Sequence, residues 1–400
     1  HYYKSWCLIR LGKTAEAQIA IATAEKEPAD YCFPNALEAI EALQCVVDFA
    51  GKAPKALYYL GNLWYDKRRY PTAIAAWERS SREDETFPTV WRNLSLAYFN
   101  KMNRPDEAVA LLEKAFRLDH TDARVLMELD QLYKRLNRPH IERLCFLEQH
   151  IDIVMTRDDL YLEYVTLLNQ TGQYREAIRR IDQRKFHPWE GGEGKVPAQY
   201  QLARLELAKE LINRKKYDDA LALIDECYIY PTHLGEGKLP GAQENDFNYY
   251  KAYILQQQGR PEEAHSLFVK ACSGNSQPAA AMYYNDQKPD KIFYQGLAYR
   301  KLGEEEKARS RFNQLITYGE EHLFDRFKMD YFAVSLPDLL IWEDDMDKKN
   351  RIHCNYLMAL GHLGLGNRTK AEHFFDIAAS MDNNHQGVQI HRKLMNTILS

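Results

Sequence analysis
The sequence predicts an all-α fold, a right-handed superhelix in which helical hairpins stack as a solenoid, and three observations predict it. Between residues 157 and 181, Tyr161, Tyr164, Val165, Leu168, Gly172, Tyr174, Ala177 and Ile181 space themselves as two short helices joined by a tight turn. The same spacing recurs down most of the 400 residues. Finally, the second-helix alanines Ala177, Ala220, Ala264 and Ala308 return at intervals of 43, 44 and 44 residues. Small residues at fixed intervals are what close crossing of successive helices requires, with large apolar residues interlocking between them.

The unit is that of a tetratricopeptide repeat, a helix pair of about 34 residues. A partial first unit survives as Gly12, Ala17, Ile21 and Ala24. Residues 57–80 follow with Leu57, Leu60, Gly61 and Trp64 on one helix and Ala73, Trp77 and Ser80 on the next. Residues 91–115 repeat this as Trp91, Leu94, Ser95, Tyr98, Ala108, Leu112 and Ala115, with an extra turn residue near Pro105. The stretch 123–150 is degenerate, as is 198–227, which keeps Ala208, Leu211, Tyr217, Ala220 and Ile224. Three later units read Ala252 to Ala271, Gly296 to Phe312 and Ala359 to Ala378. About nine units, two of them degenerate, make residues 1–400 a single expected solenoid domain, read as a fragment of a longer chain because His1 runs straight into a helical pattern.

Composition excludes several classes. A formal charge of −4 with no Lys/Arg block speaks against nucleic acid and anionic membranes as partners. Seven dispersed cysteines lack metal-ligand spacing and point to reduced thiols and a cytoplasmic setting. No apolar stretch approaches the roughly 18 residues that span a bilayer.

Function in a repeat array is sought where the repetition breaks. Two Gly-rich insertions, residues 186–197 and 230–241, carry nearly the same words, Gly192-Glu193-Gly194-Lys195 and Gly235-Glu236-Gly237-Lys238. Their separation is one local period, which predicts neighbours in space on one edge of the solenoid. His187, Trp189, Glu190 and His233 accompany the glycines and are expected to form a docking or binding rim, with Pro197 opening the next helix. No phosphate loop is present, since Val196 and Leu239 stand where Ser or Thr is needed. His187, His233 and the glutamates lack metal-ligand spacing, so neither metal nor cofactor is expected. Adjacent acids such as Glu190/Glu193 and Asp344/Asp345 could serve as acid and base across a sugar, or be a solvated face. A third insertion, 319–349, carries Tyr331, Phe332, Leu339 and Trp342. There Ser335 and Asp338 have capping-box spacing ahead of a helix expected to dock against the array or another domain.

First-helix positions Tyr58, Asn62, Tyr65, Arg92, Tyr249, Tyr253 and Arg300 are expected to line the concave groove, where aromatics suit a peptide or a carbohydrate. Asn62 and Asn93 match the asparagines of a carboxylate-gripping repeat, but Tyr58, Ala123 and Met127 stand at its basic positions, so that clamp is incomplete.

The stretches Tyr58–Tyr70, Phe87–Leu94, Phe186–Val196 and Asp330–Asp338 resemble the YphG-like family of large bacterial proteins. These join an N-terminal mutarotase-like β-sandwich region to a C-terminal tetratricopeptide array. The resemblance runs from about residue 30 to the end and implies a carbohydrate connection. It implies no reaction that transfers residue by residue. The chain is thus expected to be a non-catalytic scaffold docked on that N-terminal region. Two alternatives stay open: a free-standing peptide adaptor using the groove, and part of a carbohydrate-active enzyme whose active site the Gly-rich loops rim.

Overall fold
The computed structural model describes residues 1–280, 286–326 and 341–395; they form helices and turns, with no strand among them. They fall into two compact units. The first lies within the spans His1–Leu136 and Leu340–Glu343, and the second within Asn137–Leu339 and Asp344–Ser400. The single domain expected from the sequence is therefore divided. The division falls inside the degenerate 123–150 hairpin, whose two helices carry no mid-helix Ala or Gly and so lack the small residues that let paired helices cross closely.

In the first unit, α1 (Tyr2–Arg10) and α2 (Thr14–Lys26) form the opening hairpin, followed by α3 (Leu37–Ala50). Then come α4 (Pro54–Asp66) with α5 (Tyr70–Glu83), α6 (Pro88–Met102) with α7 (Pro105–Leu118), and α8 (Ala123–Arg135). Helix α3 has no counterpart in the repeat reading, although Ala39, Ala42, Leu43, Val46 and Val47 give it one buried helical stripe. Proline at the first turn of α4, α5, α6 and α7 starts each helix where an amide donor has no intrahelical acceptor to lose.

The α4/α5 hairpin shows why a glycine is needed at one crossing. The Trp77 indole lies across Gly61 and donates from Nε1 to the Tyr58 carbonyl at 3.2 Å. A Cβ added at Gly61 would sit 2.3 Å from Trp77 Cδ1. Gly61→Ala should therefore destabilise the chain by about 1–3 kcal/mol through overpacking. That is opposite in sign to the gain of roughly 1 kcal/mol expected for Ala in an open helix. A urea midpoint from far-UV circular dichroism decides between them.

The second unit begins with α9 (His140–Gln149) and the single turn α10 (Ile151–Val154). Hairpins then stack as α11 (Asp158–Gln170) with α12 (Tyr174–Asp182), α13 (Lys195–Asn213) with α14 (Tyr217–Cys227), and α15 (Asn245–Gln257) with α16 (Pro261–Ala271). They continue as α17 (Pro289–Lys301) with α18 (Glu305–His322), and α19 (Met346–Gly364) with α20 (Arg368–Met381), closed by α21 (Gln386–Leu394). The period-marking alanines Ala177, Ala220, Ala264, Ala308 and Ala371 are all buried. Phe312 is the clearest interlock: its ring lies where side chains on Gly296 and Gly364 would be, within 2.4 and 2.2 Å of their absent Cβ positions.

Candidate functional site
Both Gly-rich insertions emerge at the same edge of the second unit, the first after α12 and the second after α14. Main-chain and side-chain hydrogen bonds join them. The Phe186 N–H donates to the His233 carbonyl at 2.8 Å, and the Gly194 N–H donates to Glu236 Oε2 at 2.7 Å. Gly235, at φ +77°, presses so closely on the Phe186 carbonyl that a Cβ would lie 2.8 Å from its oxygen. Phe186 itself is buried, 6.0 Å from the Tyr161 ring.

Asp158, at the start of α11, clasps the first loop from below. It accepts from the His187 N–H at 2.9 Å and from Arg184 Nε at 2.6 Å. Burial opposes its charge, but the His187 amide and the Arg184 guanidinium outweigh burial and hold its carboxyl below the usual range. For Glu236 the balance is reversed: burial raises its carboxyl above the usual range despite the Gly194 donor.

On this frame His187, Glu190, Glu193 and Lys195 are exposed, as are Gly237, Lys238, Leu239 and Pro240 of the second loop. Trp189 is half-buried and folds over Gly192, where an added Cβ would meet its ring at 2.3 Å. Gly194, at φ +73°, precedes α13, which starts at Lys195, two residues before Pro197. Lys238 pairs with Glu244 and donates to the Tyr228 carbonyl at 2.9 Å. His233 is half-buried beside the Tyr200 ring. No group of three or more His, Cys, Asp or Glu among the described residues could hold a metal ion. A hollow of about 270 Å³ between the loops is lined by His187, Trp189, Glu193, Val196, Leu234 and Glu236.

Behind the rim lies a deeper cavity of about 550 Å³, bordered by Gly194, Glu236 and Gly237 and reaching down to α13, α15, α17 and α21. Lys209 Nζ pairs with Glu206 at 2.5 Å, and Lys291 Nζ with Asp246 Oδ2 at 2.6 Å. Burial disfavours both ammonium groups, yet Glu206 beside Lys209, and Asp246 and Asp290 beside Lys291, raise them above the usual lysine range. His391 is pushed down to about 3, chiefly by burial and then by Lys209. None of these residues figures among the sequence expectations. Their one legible sign is register: Asp246 and Asp290, 44 residues apart, are each the second residue of their helices, α15 and α17.

Burial removes two residues from the groove expected from the sequence. Tyr58 and Tyr249 are 7% and 3% exposed, because the first helices of the hairpins are covered on more than one side. Tyr58 packs edge-on to Phe87 at 4.9 Å, and Tyr249 against Tyr294 and Phe268 at 5.7 and 5.8 Å. The others are partly exposed but engaged within the fold. Asn62 accepts from Trp77 Nε1 and from Asn93, and Tyr65 packs on Tyr70 and Trp77. Arg92 forks onto the fully buried Glu128 carboxylate at 2.6 and 2.7 Å. Arg300 pairs with Glu305, and Tyr253 carries the Lys301 ammonium over its ring.

Of the third insertion, Tyr331, Phe332, Leu339 and the expected Ser335–Asp338 cap lie outside the described residues. Trp342 is described, and it is a core residue of the first unit, packed within the array, one of the two placements expected for this insertion. It is 1% exposed, donates from Nε1 to the Glu128 carbonyl at 3.2 Å and meets Phe99 edge-on at 5.1 Å. Asn100 holds the chain on both sides of it, donating to the Ile341 carbonyl at 2.8 Å and accepting from the Glu343 N–H at 3.0 Å. Asp345 is the N-cap of α19, accepting from the Lys348 N–H at 2.8 Å, while Asp344 pairs with Lys349.

Family models for the tetratricopeptide repeat match residues 88–122, the α6/α7 hairpin, and residues 292–318, the α17/α18 hairpin. The chain carries tetratricopeptide repeats. Such repeats imply a protein-interaction scaffold, and no helix among the described residues is long and apolar enough to cross a membrane. Similar solved structures include a Naa15/Naa10 complex bound to HypK-THB, at 12% identity and TM-score 0.40, covering 89% of this chain and 63% of that one. This chain thus spans under two thirds of that chain's length. A tetratricopeptide repeat protein from Parabacteroides merdae is 14% identical, with a TM-score of 0.32, over 74% of this chain and 96% of that one. The apo quorum sensor NprR from B. thuringiensis is also 14% identical, with a TM-score of 0.29, over 86% and 82%.

Proposed function
We propose that this chain is a non-catalytic tetratricopeptide scaffold that recognises its partner through the joined Gly-rich loops. The partner is a folded domain, the carbohydrate-related β-sandwich region of the same polypeptide that the family resemblance implies. One observation supports this above the rest: the loops are long and Gly-rich, yet cross-bonded at Phe186–His233 and Gly194–Glu236. A surface held in one shape before binding loses less conformational entropy when a partner arrives. What it presents outward is mixed, with His187, Glu190 and Glu193 beside Pro188, Leu239 and Pro240. That combination of a polar rim with apolar contact points suits a protein surface.

The test is binding of the separately produced β-sandwich region to this chain, read by calorimetry. A His187→Ala, Glu190→Lys, Glu193→Lys triple variant changes only exposed side chains and should weaken association by about tenfold or more. Tyr253→Ala, on α15, should leave it unchanged. Equal affinity of the triple variant and the parent would overturn the loop assignment.

A further inference from the structure
The last helix, α21, lies among earlier hairpins of the second unit rather than on the end of the stack. Helix α20 keeps one face open, with Lys370, Glu372, His373 and Asp376 exposed, whereas of residues 382–395 only Lys393 is exposed. The enclosing side chains come from far back in the sequence. Asn384 accepts at Oδ1 from Arg143 of α9 at 2.7 Å, and at its carbonyl from Gln170 of α11 at 2.9 Å. Gln386 and Gln199 of α13 exchange amide hydrogen bonds at 2.8 and 3.0 Å. The His391 ring packs on Phe293 and Tyr294 of α17 at 5.6 and 5.8 Å. Gly387 lets α21 lie against α19, where an added Cβ would stand 2.6 Å from the hydroxyl of the buried Tyr356. Helices α11, α13, α17 and α19 are the first helices of their hairpins, the ones expected to line the concave binding surface of a repeat array.

Enclosure and composition disagree in this segment. A helix surrounded by protein is ordinarily apolar all round. Residues 382–395 instead read Asp-Asn-Asn-His-Gln-Gly-Val-Gln-Ile-His-Arg-Lys-Leu-Met, and α21 fully buries only Val388, His391 and Leu394. Its contacts through Asn and Gln amides are ones that water replaces on release, the character of a transient interface rather than of a core. At nine residues α21 is also too short to keep its helix alone, so it is helical because it is docked. We propose that residues 382–395 are an intramolecular ligand filling the peptide groove of the second unit. A partner helix of the same pattern, Gln-Gly-Val-x-x-His-x-x-Leu, binds there by displacing them. This surface is additional to the Gly-rich loops and does not rest on their docking role.

Two measurements on the whole chain test this. In the parent, amide hydrogen exchange of α21 should run at least about 100-fold faster than that of α13, α17 and α19, because the segment opens without unfolding the hairpins. A Val388→Asp, Leu394→Asp variant releases its own segment, and a fluorescent peptide of residues 382–395 with the parent sequence should then bind it one to one. The parent, its groove filled by a tethered competitor, should bind that peptide at least about tenfold more weakly. A Gly387→Ala peptide should also bind the variant at least about tenfold more weakly, although alanine favours the helix, because its methyl meets Tyr356. The proposal is overturned if α21 exchanges as slowly as α19, or if the variant loses helix beyond α21 by circular dichroism, since the segment would then be core. It is equally overturned if the variant fails to bind the peptide, if parent and variant bind it equally, or if the Gly387→Ala peptide binds as well as the parent sequence.

Discussion

Replacing Trp342 with alanine should destabilise the first unit by about 3–5 kcal/mol, the range for deleting a large, fully enclosed aromatic side chain. Three losses combine. The indole is 1% exposed, so its removal opens a void rather than a surface dent. Its Nε1 donates to the Glu128 carbonyl, and its edge-to-face contact with Phe99 adds an attraction beyond area. The same α8 residue, Glu128, holds Arg92 and Arg124 with its buried carboxylate, so loosening there spreads to the Arg92 ion pair that ties α6 to α8. Amide hydrogen exchange in the whole chain measures the effect where it should occur, as lost protection in α6 and α8. Trp189→Ala is the comparison, since Trp189 is half-buried on a loop and should lose far less. Protection in α6 and α8 unchanged by Trp342→Ala would show that the tryptophan only lies against the unit.

Gly235→Ala should destabilise the second unit by about 2–5 kcal/mol and separate the two loops. Its φ of +77° disfavours any residue with a Cβ by roughly 1–2 kcal/mol. The new methyl would also stand 2.8 Å from the Phe186 carbonyl oxygen, which is main chain and cannot rotate away, adding about 1–3 kcal/mol. Relief requires the chain at Phe186 to shift, which breaks the bond from its N–H to the His233 carbonyl. Gly237→Ala is the internal control: nothing lies within 4 Å of its absent Cβ. Faster exchange of the Phe186 amide in Gly235→Ala but not in Gly237→Ala is the expected signature. Equal exchange in both would mean that this contact does not hold the loops together.

The repeats and the pairing of the loops were legible because each depends on spacing alone. A 43-residue interval between Gly192 and Gly235 brings two insertions to the same edge whatever their side chains do. The α3 stripe at Ala39, Ala42, Leu43, Val46 and Val47 has the same helical period, but it belongs to no repeat, so repeat spacing does not mark it. Tyr58 and Tyr249 left the expected groove for a different reason. Alternation along one helix shows which side chains share a face, but hairpins stacked on both sides bury more than one face, as Tyr58 and Tyr249 record.

What the sequence by itself determined is the helical hairpin, its period, and therefore which insertions are neighbours, since these follow from local geometry repeated at a fixed interval. Tertiary structure alone decided three things. It set the division of the chain at the hairpin without small residues, and the burial of Trp342 against Glu128 and Phe99. It also gathered Glu206, Asp246, Lys291 and His391 around one cavity. These contacts join residues from about 40 to more than 200 positions apart. Their free energy depends on which surfaces exclude water together, and no interval in the sequence encodes that.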